Sequence, residues 1–298
     1  MDDRYIRSVV AREFSFSKYV AYIGRCRMAH FYLTLPSNSS MLYYPDNTLT
    51  RYTTRLANAI SLLGDWEVGL VEIQYPHTWN NLERFEGRIS YSQALTHREE
   101  KPQSFLIKMF RLQAGYYNSI GDMAQLMNEN IKAAVADSEI EKFPKFRYNA
   151  VTKRLNGAIP VGVSMHFSHA LCTMLGIDAS QNPINTEEED EMLQWKSGRI
   201  CDLQRGFSSM YVYCNVLEHV PVGDTKAPLL RIVRVTDRSG ENVHTLYEKP
   251  LYVPLQQKNF DSIEIDIRSD VGNPIAFESG KVVVTLHFRR CKLPYLLQ

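Results

Sequence analysis

The chain is built from short runs in which the apolar residues fall on every second position. Val282, Val284, Leu286 and Phe288 alternate with Val283, Thr285, His287 and Arg289. Ile263, Ile265 and Ile267 alternate with Ser262, Glu264, Asp266 and Arg268, and Phe31, Leu33 and Leu35 with Tyr32 and Thr34. Tyr52, Thr54 and Leu56 follow the same rule. A period of two sends successive side chains to opposite faces of a strand, so each run is predicted to bury one face and offer the other to water or a neighbour. That is the pattern of antiparallel, half-buried strands, not of the solidly apolar strands of a parallel sheet.

Between Trp66 and Tyr75 the phase changes: Trp66, Val68 and Leu70 lie on one face, then Val71, Ile73 and Tyr75 on the other. A switch of phase inside one strand predicts a bulge or burial on both faces. Further strand candidates are Phe105–Leu112, Tyr211–Leu217, Leu229–Val235 and Val243–Val253, with turn signals such as Leu63-Gly64-Asp65 and Val222-Gly223-Asp224 between elements.

The middle of the chain has a different texture. Ser119 followed by Asp122 is a capping pattern, and Ile120, Met123, Met127 and Ile131 follow at helical spacing. Two alternating runs flank Asn156-Gly157, which predicts a tight hairpin turn at that dipeptide, and Pro160 predicts an edge strand. Ser168 to Leu175, closed by Gly176, reads as a short helix. The expected fold class is therefore mainly β, a single jelly-roll β-sandwich with an inserted α+β domain. The expected organisation is an N-terminal arm (1–28), a first half of the sandwich (29–114), the insertion (115–204) and a second half (205–298).

With 298 residues, 44% of them hydrophobic, a core needs no disulfide support. The 34 basic and 33 acidic residues leave a net charge of +1, which excludes the whole-molecule cationic field of a dedicated nucleic-acid binder. Cys26, Cys172, Cys201, Cys214 and Cys291 form no CxxC pair and are odd in number, so neither a zinc site nor a disulfide framework is indicated. No signal-peptide stretch and no membrane-length apolar run occurs, so a soluble protein of the cytosol or nucleus, with no membrane partner, is expected.

Catalytic chemistry finds little support. His166, His169 and Cys172 have helical spacing, but His166 is predicted to end a strand before the Ser168 cap, so the three should not converge on a metal or form a Cys/His hydrolase site. The run Glu187, Glu188, Glu189, Asp190 and Glu191 reads as a solvated loop, and Asp261, Asp266 and Asp270 lack calcium-loop spacing. No GxGxxG, GxxxxGK[ST], GxSxG or HExxH is present. No enzyme activity and no cofactor are expected. The other reading of a β-sandwich, a lectin-like module for glycans or a receptor, predicts an exposed Trp79 or Trp195 in a polar groove.

Several longer strings carry a resemblance. Phe31-Tyr-Leu-Thr-Leu-Pro-Ser-Asn-Ser-Ser40, Tyr44-Pro-Asp-Asn47, Trp66-Glu-Val-Gly-Leu-Val-Glu-Ile-Gln-Tyr-Pro76 and Trp79-Asn-Asn81 resemble the minor capsid (penton) proteins of Polinton/Maverick elements and adintoviruses. So do Gly115-Tyr-Tyr-Asn-Ser119, Phe167-Ser168 with Leu175-Gly176, Tyr211-Val-Tyr-Cys214, Leu229-Leu-Arg-Ile-Val233, Tyr252-Val-Pro254 and Gly280-Lys-Val-Val-Val-Thr-Leu-His-Phe-Arg289. The resemblance spans about residues 30–290. It implies a single jelly roll that forms homopentamers at the vertices of an icosahedral shell, located in the virion, beside a double-jelly-roll major capsid protein. It carries no catalytic residues.

For such a ring, Arg231, Arg234, Arg289 and Arg290 are interface candidates, expected to pair across subunits with carboxylates such as Glu264 or Asp266. The first 27 residues carry Arg4, Arg7, Arg12, Lys18, Arg25 and Arg27 against three acids, interleaved with aromatic residues. This arm is expected to touch a neighbouring subunit or, with weaker support from so small an excess, packaged DNA.

Overall fold

In the computed structural model, residues 30–95, 104–136, 140, 142–186, 192–235 and 239–291 are described. The arm residues Arg4, Arg7, Arg12 and Lys18 and the acidic run 187–191 lie outside the described residues.

The strands appear in the order β1 (His30–Pro36), β2 (Arg51–Ser61), β3 (Trp66–Pro76), β4 (Arg88–Leu95) and β5 (Ser104–Arg111), then helix α1 (Ile120–Val135). Next come β6 (Lys145–Asn149), β7 (Arg154–Pro160), β8 (Val163–Phe167), helix α2 (His169–Leu175), β9 (Ile184–Asn185) and β10 (Met192–Lys196). The last third contributes β11 (Ser209–Cys214), β12 (Val220–Val222), β13 (Thr225–Ala227), β14 (Leu229–Arg234), β15 (Asn242–Leu246), β16 (Tyr252–Pro254), β17 (Asn259–Ser269) and β18 (Val283–Arg290).

Two sheets form the sandwich. One runs β1-β18-β3-β15, with β16 also on β3, and the other runs β14-β11-β17-β2. Numbering only the sandwich strands along the chain, and taking β15 and β16 as one interrupted strand, the sheets read 1-8-3-6 and 2-7-4-5. That order is the jelly roll. The alternating residues face each other across the sandwich: Leu35, Val68, Leu70, Ile73, Val284, Leu286 and Phe288 from one sheet, Tyr52, Val212, Leu230, Ile263, Ile265 and Ile267 from the other, all buried. Val71 is the extra residue that changes the phase of β3. Thr285 pairs with Glu72 and Leu286 with Leu70, leaving Val71 bulged out of the ladder.

A second core belongs to residues between β3 and β11. The sheets β5-β4-β8-β9 and β10-β7-β6 enclose it with α1 and α2, and it includes Ile89, Tyr91, Met123, Met127, Phe146, Ile159, Met165 and Leu171. Both helix starts, and the stop of α2, follow from the sequence. Ser119 Oγ accepts from the N–H groups of Gly121 and Asp122, Ser168 Oγ accepts from that of Leu171, and Gly176 ends α2 in the left-handed region at φ 69°.

Several details depart from what the sequence pattern predicts. Within the expected first half (29–114), β4 pairs with both β5 and β8 and places Ile89 and Tyr91 in the second core. Leu82, also in that core, bridges to Gly115. Alternation in 105–112 announces one buried face but not which core receives it. The hairpin turn is not at Asn156-Gly157: these residues lie inside β7, paired with Arg147 and Phe146. A Cβ on Gly157 would stand 3.1 Å from the Phe146 ring and 3.4 Å from the Trp195 ring, so the glycine clears space for aromatic side chains. The turn is made instead by Asn149, whose Oδ1 accepts from the N–H groups of Val151 and Thr152, and by Lys153 at φ 52°. Pro160 does not mark an edge strand, since β7 lies between β10 and β6; it is tolerated because it is the last residue of β7. The run from Ile159 to Phe167 turns at Gly162 and enters a different sheet as β8. Likewise the single candidate 243–253 is split into β15 and β16, which pair with the two halves of β3.

Candidate assembly surfaces

The outward face of the β1-β18-β3 sheet is a continuous ladder of side chains set by strand register. Tyr32 stacks on His287 directly opposite, with centroids 4.4 Å apart. His287 Nδ1 lies 2.8 Å from the Tyr252 hydroxyl, and the Arg289 guanidinium sits 3.4 Å above the Tyr252 ring while its Nε donates to Glu67 at 2.6 Å. Farther along, Thr285 donates to Glu72, which also meets His244 at 2.8 Å. Hydrogen bonds from Gln74, then from Thr285 and His244, hold the Glu72 carboxyl below its ordinary pKa despite partial desolvation. Burial, reinforced by the charges of His30 and Arg289, lowers the pKa of His287.

The outward face of the other sheet is chemically different. Tyr211 and Tyr213 are half-buried beside exposed Ile232. Arg268 pairs with Asp266 at 2.8 Å and Arg51 with Glu264 at 3.2 Å. A shallow hollow of about 250 Å³ lies among Tyr213, Asn215, Pro228, Glu264, Asp266 and Arg268.

These pairings relocate the arginine candidates. Arg289 is engaged by Glu67 and Tyr252, and Arg231 lies 3.5 Å above the Tyr247 ring with Nη1 buried and lacking a hydrogen-bond partner. Glu264 and Asp266, expected to meet arginines of another subunit, are paired within the chain. Arg234 and Arg290 are exposed. Arg234 borders a hollow with Asp202 and Phe207, and Arg290 approaches the Gly64 turn. Sequence reasoning missed the in-chain partners because they depend on register, which alternation alone does not supply.

A cleft of about 770 Å³ separates the two cores, lined by Trp79, Glu86, His169, Arg205, Phe207 and Asp270 among others. Arg205 and Glu86 pair across it at 2.7 Å. Burial raises the Glu86 pKa, but the Arg205 hydrogen bond and a backbone N–H outweigh it, so the carboxyl titrates below its ordinary range. Trp79 is only 5% exposed and packs against His77 at 3.9 Å and Phe277 at 5.6 Å, while Trp195 is 9% exposed against Phe146. Neither tryptophan is the open platform that the lectin-like reading requires.

The His/Cys group is dispersed by the fold. His166 is exposed on the outer face of β8, and Cys172 is buried, with Sγ directed to the Phe167 carbonyl. Burial pushes the Cys172 thiol up, and those of Cys201 and Cys214 up to about 11 and about 12, so each stays protonated and poorly nucleophilic. Among the described residues no three His, Cys, Asp or Glu side chains are grouped to hold a metal ion, and no helix is long and apolar enough to cross a membrane.

No protein-family model matches the chain, and no curated protein matches it in sequence. Among solved structures it is similar to the crystal structure of the selenomethionine-labelled mavirus penton protein. The TM-score is 0.50 at 10% identity, over 88% of this chain and 100% of that one. At that identity the likeness is one of fold, and the matched region spans the whole of the other chain.

Proposed function

We propose that this chain is a structural capsid protein, not an enzyme, that forms pentameric vertices of an icosahedral virus-like shell. The observation that carries the reading is the jelly roll interrupted between β3 and β11 by a second core, an architecture that aligns with the whole of the mavirus penton protein. A closed ring joins one face of a subunit to a different face of the next. The two outward sheet faces, one built on His287, Tyr252 and Arg289 and the other on Tyr211, Tyr213 and Ile232, are two such unlike faces on opposite sides of the sandwich.

The register also gives the subunit a polarity. His30 pairs with Arg289 and Arg289 with Glu67, so the described chain begins and ends at the start of β3, whereas the insertion departs from the far end of β3 at Pro76. In a shell this favours an arrangement with the basic arm, including Arg4, Arg7, Arg12 and Lys18, toward packaged DNA or a neighbouring subunit and the insertion away from it. The remaining neighbours would be double-jelly-roll major capsid proteins. Exposed Arg234 and Arg290 remain available to them or to the next copy.

Mass photometry and negative-stain imaging of the purified chain across concentration and salt test this reading. The expected result is a five-membered ring that grows with concentration, and co-expression with a major capsid protein should place the chain at particle vertices. Monomers alone across all conditions, with no incorporation into particles, would overturn it.

A further inference from the structure

The outward face of β5, β4 and β8 carries a concentration of positive charge that nothing in its own sheet balances. Arg111 lies directly across from Arg88, Met109 from Ser90 and Ile107 from Ser92, and His166 and Ser164 continue the last two rows on β8. Like charges placed opposite each other on an antiparallel pair repel. No carboxylate among the described residues pairs with Arg84, Arg88 or Arg111, and Glu86, two residues from both Arg84 and Arg88, is engaged by Arg205. Phe85 is 70% exposed, with the guanidinium groups of Arg84 and Arg111 5.5 and 5.8 Å from its ring centre. Ile107 and Met109, 73% and 64% exposed, extend an apolar strip along β5, which pairs on one side only among the described strands.

We propose that this cationic, partly apolar face is the docking surface for the acidic segment Glu187–Glu191 of a second copy of the chain. The inference rests on the ring-forming reading above. The segment offers five consecutive carboxylates. It follows β9, which is the opposite edge of the same sheet, in the order β5-β4-β8-β9. One sheet therefore presents cations at one edge and emits anions from the other, the complementarity that head-to-tail contacts between identical copies require. Contact within one copy is disfavoured by reach. The flanking residues are fixed near the β7–β8 turn: Thr186 Oγ1 donates to the Pro160 carbonyl and accepts from the Val163 N–H, and Met192 pairs with Pro160. Val163 pairs with Gln93, five residues along β4 from Arg88, which is about 17 Å at ~3.3 Å per residue. Held at both ends near that turn, the six backbone steps from Thr186 to Met192 span about 20 Å at full extension and so reach only about 10 Å out and back, whereas a neighbour's segment meets no such constraint.

Two charge reversals and their combination test the proposal: Arg84→Glu with Arg88→Glu and Arg111→Glu, then Glu187→Lys with Glu188→Lys and Glu189→Lys, then all six. All three arginines are exposed, and circular dichroism would verify that each variant is folded. The readout is the protein concentration at half-assembly, by mass photometry at low and physiological salt. Each reversal alone is expected to raise it about tenfold or more, and the combination to bring it back toward wild type. Added salt should weaken wild-type assembly. If the single reversals assemble at the wild-type concentration, or instead shift only the melting temperature of the dilute monomer, the docking is wrong and the ring reading stands. If the wild-type chain never assembles, the ring reading falls and this inference with it.

Discussion

Tyr32, on the first described strand, lies flat against His287, on the last, with ring centroids 4.4 Å apart and planes inclined by 15°. The stack fastens β1 to the outside of its sheet through an imidazole whose Nδ1 faces the Tyr252 hydroxyl and whose Nε2 is buried with no hydrogen-bond partner. Protonating that ring would place a charge beside His30 and Arg289, and burial alone already disfavours it.

This sets the sign of a pH effect. The folded pKa of His287 lies below the ordinary value near ~6.5, so above that pH both folded and unfolded chains carry it neutral. As the pH falls below it, the unfolded chain takes up a proton that the folded chain refuses, and stability drops. Melting temperatures measured between pH 7 and pH 5 should fall less steeply for His287→Asn than for wild type. The lowered carboxyls of Glu72 and Glu86 lose their contribution only at lower pH, outside this window. Parallel profiles for the two proteins would refute the assignment.

Asn128 ties α1 to β6 by a two-pronged contact: its Oδ1 accepts from the Phe146 N–H at 2.7 Å and its Nδ2 donates to the Phe146 carbonyl at 2.8 Å. Asn128→Ala removes both partners and leaves a backbone donor and acceptor unpaired in a partly buried place, at a cost of about 2–3 kcal/mol. Chemical denaturation should register that loss. Because Asn128 lies on α1, whose buried face contributes to the second core, a fluorescence signal from Trp66 in the sandwich should be affected less than one from Trp195.

The sandwich was legible because its strands obey a rule written locally: Leu286 and Phe288, or Ile263 and Ile265, can alternate only if one face is buried. Membership in a core is a different kind of information. Leu106 and Phe110 of β5 also share one face of a strand, yet they pack on the second core, and only the pairing of β5 with β4 reveals this. Charged residues are harder still. Arg289 reads as a free cation until the register brings Glu67 opposite it.

Gly157 supplies a direct check on that distinction. In a hairpin turn at Asn156-Gly157, glycine would be required for positive φ; inside β7 it is required for the space taken by the rings of Phe146 and Trp195. Gly157→Ala should therefore cost about 1–3 kcal/mol by overpacking. The combined variant Gly157→Ala/Phe146→Leu should recover part of that loss. A backbone requirement would give no recovery, and denaturation midpoints separate the two.

Glu86 and Arg205 join segments more than a hundred residues apart across the cleft between the cores, and each is roughly two-thirds buried. At that depth the pair is neither the near-neutral ion pair of an open surface nor a fully desolvated one, and its coupling should be about 1–2 kcal/mol. A double-mutant cycle with Glu86→Gln and Arg205→Ala measures it. Arg205→Ala is expected to cost more than Glu86→Gln, because it leaves a half-buried carboxylate facing the cleft without its cation, whereas the amide remains neutral and can still accept the Glu83 N–H. The folded pKa of Glu86 lies below its unfolded value, so the pair's contribution is present above the ordinary carboxyl range and lost as the pH falls through the folded pKa. The difference between wild type and Arg205→Ala should therefore be full at pH 7 and shrink toward pH 3. A difference that persists unchanged at pH 3 would mean that Arg205 acts through packing against the cleft wall and not through its charge.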